Sequence, residues 1–136
     1  HYISAFGEHV IAKEVEESIK LCSKHFGFNI IEFTVAPQVS PHNGLPYHEW
    51  LVEFDNIPSD LEAVSNYLDL EMRKQNIYYE DLISGGILRP LVISCLKPNS
   101  FIEYMKEEGK LGGQNKVPRL TNDRKIADRL YKFIIR

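Results

Sequence analysis

The stretch YHEWLVEFD (47–55) alternates without a break. His48, Trp50, Val52 and Phe54 fall on one face, and Tyr47, Glu49, Leu51, Glu53 and Asp55 on the other. A period of two is what a pleated strand imposes, and a slip of one residue would turn every apolar side chain to the wrong side. A strand needs neighbours. FNIIEFTVAP (28–37), rich in β-branched and aromatic residues, supplies one, with SPHNGLP (40–46) as the loop between them. LRPLVISCLK (88–97) reads as a third, with Pro90 near its start or on an edge because proline has no amide to donate. YISAF (2–6) reads as a short strand ended by Gly7.

Helical periodicity fills the gaps. Ile11, Val15, Ile19, Cys22 and Phe26 are spaced by threes and fours, with Lys13, Glu17, Lys20 and Lys24 outside the stripe and Gly27 as the stop. Ser59 with Glu62 has the form of a capping box, opening a helix with Leu61, Val64, Leu68 and Met72 inward. IYYEDLI (77–83) predicts a shorter helix closed by Gly85 and Gly86, with Tyr78 and Tyr79 packed at its end. Ser100 with Glu103 forms a second box, for a helix reaching Glu108. Thr121 or Asn122 is expected to cap a last helix with Ile126, Leu130 and Phe133 inward. The order β-α-β-β-α-(α)-β-α-α predicts an α+β fold, a small mixed or antiparallel sheet packed with helices. Without an internal repeat, linker or low-complexity stretch, residues 1–136 read as a single domain.

Composition narrows the function. With 43% hydrophobic residues and a net charge of −3, the chain can fill an ordinary core and carries no field that attracts nucleic acid or an acidic membrane. No apolar run reaches the roughly 18 residues of a membrane span. Cys22 and Cys95 lie far apart among apolar neighbours, so buried free thiols in a reducing cytoplasm are expected. The first residue is His1, not methionine, and the chain is expected to be a piece of a longer protein. The histidines at 1, 9, 25, 42 and 48 show no zinc-ligand spacing, and His48 reads as a partly buried residue near a strand end. No nucleophile elbow is present. Glu16-Glu17 and Glu107-Glu108 read as solvated helix faces. Taken singly, these residues give no enzyme.

Two glycine-containing stretches say more. ISAFGEHVIAKEVE (3–16) is a strand, a glycine turn and an amphipathic helix. KLGGQNKVPRL (110–120) combines a mobile glycine hinge with a cation on a stiffened arm: Gln114, Asn115, Lys116 and Arg119 present polar groups, and Pro118 limits how the arm bends. The pattern G-x-x-x-x-G-K-[ST] is absent, so it is not a phosphate-cradling P-loop.

Together the two stretches resemble the C-terminal domain of adenylate-forming enzymes. That superfamily carries I-K-x-x-G-x-x-I-x-P-x-E-I-E after a hinge, matched here by Ile3, Gly7, Val10, Glu14, Val15 and Glu16. Ser4 departs from its lysine and Ala12 from its proline. Its later G-K-I-x-R is matched by Lys116, Val117 and Arg119, with Asn115 in place of the glycine. Within the superfamily, SAFGEHV, GLPYHEWLVEF, NIYYEDL and YMKEEGKLGGQNKVPRL resemble bacterial members of the Gretchen Hagen family of auxin-responsive acyl-acid amido synthetases.

The resemblance implies a mobile C-terminal lid of an ATP-dependent ligase that adenylates a carboxylic acid and passes the acyl group to an amine, typically an amino acid. Lys116 would be the catalytic cation. Lys116, Gln114 and Arg119 would contact ATP, and Phe6 and Gly7 would line the path of the amine. ATP and magnesium would be held mainly by an N-terminal domain of the same polypeptide, with no metal site here. These 136 residues alone are expected to fold without adenylating. The alternative is a stand-alone ferredoxin-like small-molecule-binding or regulatory domain, motivated by the β-α-β-β-α-β order alone. RNA binding would need Trp50 and Phe54 exposed, among Glu49, Glu53 and Asp55.

Overall fold

The computed structural model describes residues 1–110 and 116–135. Its elements are β1 (Tyr2–Ile3), β2 (Val10–Ile11), α1 (Ala12–Phe26), β3 (Ile30–Gln38), β4 (Tyr47–Phe54), α2 (Leu61–Gln75), α3 (Ile77–Ser84), β5 (Val92–Cys95), α4 (Ser100–Glu107) and α5 (Lys125–Leu130), followed by a 3-10 turn at Tyr131–Phe133. The α+β expectation holds.

The alternating segment is the centre of the molecule. β4 pairs antiparallel with β3 and parallel with β5. Its two faces feed two cores. Trp50, Val52 and Phe54 pack with α1 and α2, while Leu51 packs with Ala36, Leu96, Phe101, Tyr104, Val117 and Leu130 under α4 and α5. Helices thus cover both sides, which is why Glu49 and Glu53 are buried as well. Trp50 and Phe54 are buried, Trp50 stacking on Phe33, so neither can serve as a platform for RNA bases.

Both edges of the three-stranded sheet are closed by irregular chain. On β3, Val35 N donates to Arg119 O and Thr121 N to Val35 O, placing Leu120 beside it in a parallel bridge. On β5, Ile135 N donates to Cys95 O and Lys97 N to Phe133 O. Unpaired edges invite association with other chains, and these segments pair part of each edge.

Several expected details change. YISAF is a strand only at Tyr2–Ile3. It pairs with Val10–Ile11 in a separate hairpin, because Ser4 to His9 are needed for the turn. The four-stranded ferredoxin-like sheet therefore does not form, and that reading loses its motivation. Ser59 and Ser100 do not cap. Asp60 accepts from Ala63 N at 3.0 Å. For α4, the Glu53 carboxylate reaches across from β4, accepting from Asn99 N at 2.9 Å and Phe101 N at 3.1 Å. The last helix begins at Lys125, whose amide donates to Asp123 rather than to Asn122 or Thr121. On α1 the stripe buries Val15, Ile19 and Cys22 but leaves Ile11 and Phe26 exposed at the helix ends.

Candidate functional site

The lysine-bearing loop is fixed at both of its described ends. At its start, Gly109 takes φ 67°, Gly109 N donates to Lys106 O and Lys110 N to Met105 O. These are the two bonds of a Schellman stop, and the left-handed residue they require is why a glycine stands there. Lys110 thereby belongs to the end of α4. At its far end, Val117 and Leu120 are buried, and Thr34 Oγ1 donates to Pro118 O at 2.7 Å. Burial of two such side chains contributes on the order of 1.5–3 kcal/mol each, enough to hold the arm against β3. Lys116, the residue before this anchored run, is exposed. Gln114 lies outside the described residues.

Arg119 extends from the arm onto α1 and β3. Its guanidinium pairs with Glu32, lies 3.5 Å from Glu16 and sits over the Phe33 ring at 4.8 Å. Glu16 is accordingly tied to the arm rather than merely solvated. Glu107 and Glu108 are likewise engaged, by Lys132 at 2.6 Å and Arg129 at 2.7 Å.

The glycine turn is built differently, from below. Gly7 has φ 90° and His9 φ 45°, so two residues of this short turn are left-handed. Phe6 is 37% exposed, whereas Glu8 is fully buried. Glu8 Oε1 accepts from Phe6 N at 2.7 Å, and Oε2 lies 2.7 Å from Nε2 of His48 at the start of β4. Asn76 Nδ2, between α2 and α3, donates to Glu8 O, His9 O and Glu14 Oε1. Ser4 Oγ accepts from His9 N at 3.3 Å and so closes the turn locally.

Burial pushes the Glu8 carboxyl up, but hydrogen bonds from His48 and from the Glu8 and Phe6 amides outweigh it and leave it below the usual carboxylate range. Beneath the pair, Tyr79 is buried and its hydroxyl donates to Asp69 at 2.5 Å. Burial, with Asp69 beside it, pushes the Tyr79 phenol well up. Arg124 is lowered by burial, yet Glu49 and Asp128 raise it overall, and its 2.7 Å contact with Glu49 ties the start of α5 to β4. The two cysteines are free and buried, and burial with Glu71 nearby pushes Cys22 up to about 12.

The lysine arm and the glycine turn are joined by a bond from Ser4 N to Asn122 Oδ1 at 2.9 Å. Lys116 and Asn122 lie at opposite ends of the arm, which as extended chain spans at most about 20 Å. The surface thus offers a cation at one end and an open glycine turn at the other. Among the described residues no group of three or more His, Cys, Asp or Glu could hold a metal ion, and no helix is long and apolar enough to cross a membrane.

Sequence reasoning singled out Lys116, Arg119, Phe6 and Gly7 but passed over Glu8, Asn76 and His48 as their supports. One signal was available. A histidine on the same strand face as Trp50, Val52 and Phe54 faces a core, and a buried imidazole requires a polar partner.

The family model for the GH3 family C-terminal domain matches residues 13–125. Among solved structures, the fold is similar to that of the acyl acid amido synthetase AtGH3.15 in complex with 2,4-DB, with a TM-score of 0.75 and 16% identity over 99% of this chain and 26% of that one. A second structure, described as GH3.15 acyl acid amido synthetase, gives a TM-score of 0.72 and 16% identity over 94% of this chain and 25% of that one. The chain thus spans about a quarter of the length of the solved proteins it matches. No curated protein matches the sequence.

Proposed function

This chain belongs to the GH3 C-terminal domain family, and from that premise we propose that it is the mobile lid of an ATP-dependent acyl-acid amido synthetase. The full-length enzyme would adenylate a carboxylic acid and transfer the acyl group to an amine, typically an amino acid. An N-terminal domain of the same polypeptide would bind ATP, magnesium and the acid. The stretches SAFGEHV and GLPYHEWLVEF support a place among bacterial members, and two buried free thiols support a reducing, cytoplasmic setting.

The observation that carries the reading is the placement of Lys116, an exposed ammonium at the head of a buried, hydrogen-bonded arm. When a carboxylate attacks the ATP α-phosphate, negative charge builds on two groups that must be held together. A compact ammonium on a flexible stem suits that task, and an anchored root reduces the reorganisation needed as charge develops. Gln114 would add a polar contact to the nucleotide. Arg119 would reach a phosphate only by loosening its hold on Glu16 and Glu32, so its first role is to position the arm. Phe6 and Gly7, at the other end of the surface, would line the path of the amine in the second half-reaction. A Cβ added at Gly7 would meet nothing within 4 Å, which supports an open approach there.

The test is pyrophosphate exchange by the full-length protein against a panel of acids, followed by amide formation with a panel of amino acids. Acid-dependent exchange and an amide product are expected. Amide formation without any acyl-adenylate, or no exchange with any acid, would overturn the reading.

A further inference from the structure

We infer that Glu8 and His48 are positioning residues for amine transfer, a buried carboxylate–imidazole pair that holds the Phe6–Gly7 turn in the shape through which an amine passes. The inference rests on the reading that Phe6 and Gly7 line that path.

The contacts converge on the turn's backbone. One Glu8 oxygen takes the Phe6 amide at 2.7 Å, and the other takes His48 at 2.7 Å, fixing the turn to the first residues of β4. Asn76 grips the carbonyls of Glu8 and His9, and Ser4 Oγ takes the His9 amide. Left-handed backbone at His9, a residue with a Cβ, persists only where the surroundings over-determine it. Glu8 is fully buried and His48 only 2% exposed. A buried polar pair is often no more stabilising than well-packed apolar side chains of similar volume, so stability alone gives little reason to place one here. Holding one backbone shape is a better account. The His48–Glu8 bond also lies toward the Asn122 end of the arm and away from Lys116, since His48 pairs with Pro37, beyond the Val35–Leu120 bridge. Losing it therefore loosens the turn without touching the lysine.

The experiment uses the full-length enzyme with Glu8→Gln, His48→Ala and His48→Gln, measuring adenylation and transfer separately. Transfer from preformed acyl-adenylate should fall about 10- to 100-fold in kcat/KM for the amine in Glu8→Gln and His48→Ala, while adenylation stays within about threefold, the penalty expected of a misplaced binding surface. In His48→Gln the amide nitrogen can still donate to Glu8, and most of the transfer should return. Equal losses in both half-reactions, or no loss in either, overturn the inference while leaving the functional reading intact. A wild-type enzyme that forms no amide overturns both. Should the variants not fold, the wild-type enzyme decides by hydrogen exchange. A Phe6 amide protected like the core of α1 supports the bond, and exchange at the rate of an unstructured chain refutes it.

Discussion

The amide of Ser4 donates to Oδ1 of Asn122 across 118 residues of sequence. This bond joins the glycine turn to the arm that carries Lys116. With the arm laddered onto Val35 and the turn bonded to His48, both segments hang from neighbouring strands of one sheet. If this domain is the proposed lid, its movement would carry both together. That is the geometry expected if one end serves adenylation and the other serves transfer.

Glu53 should matter more to stability than the serine that begins α4. Its buried carboxylate accepts two amides, Asn99 and Phe101, whereas Ser100 Oγ donates only to Lys97 O. Hydrogen bonds to a charged group are worth about 1.5–3 kcal/mol, against about 1 kcal/mol for a neutral one. Urea denaturation should show Glu53→Ala losing about 2–4 kcal/mol and Ser100→Ala about 1 kcal/mol. The reverse order would mean that the cap is local after all.

That contrast marks what could be read from sequence. The alternation at 47–55 gave the central strand, and the spacing of Val15, Ile19 and Cys22 gave the buried face of α1, because local period is a local property. The partners of Glu53, Glu8 and Asn76 are brought close only by folding, so no spacing announces them. Gly7 and Gly109 were visible as places of unusual backbone, and both take positive φ, whereas Lys116 was singled out only through a family resemblance. The closing of both sheet edges by residues 119–121 and 133–135 was not, since neither segment alternates.

Gly7 separates strain from obstruction. At φ 90° any side chain is strained, yet the space around it is open. Gly7→Ala should therefore cost on the order of 1–2 kcal/mol of stability from the left-handed backbone alone and alter transfer little. Gly7→Trp adds bulk in the proposed amine path and should impair transfer at least tenfold more than Gly7→Ala does, about 1.4 kcal/mol in the barrier. Matching transfer rates in the two variants would remove the turn from the path of the amine.

Acid should expose the contribution of Glu8. Its folded-state carboxyl lies below the unfolded value, so the stability it adds is complete above the unfolded pKa of about 4.3 and is lost as pH falls through the lower folded value. The groups facing it are His48, the Phe6 amide and Asn76 through the backbone carbonyl. In urea titrations at several pH values, the stability gap between wild type and Glu8→Gln should be widest near neutral pH and narrow below about pH 4. A gap that widens in acid would contradict the sign of this shift.

We propose that Lys116 is the cation of adenylation. Lys110 is the rival within the same loop, but its backbone is bound into the stop of α4. Both lysines are exposed, so neither substitution should alter folding by more than about 0.5 kcal/mol. The most direct measurement compares both half-reactions in full-length Lys116→Ala and Lys110→Ala enzymes. Lys116→Ala should slow acyl-adenylate formation by about 10²- to 10³-fold, roughly 3–4 kcal/mol. Transfer from synthetic acyl-adenylate should survive, and Lys110→Ala should resemble wild type in both steps. Loss of adenylation in Lys110→Ala with normal adenylation in Lys116→Ala would contradict the proposal.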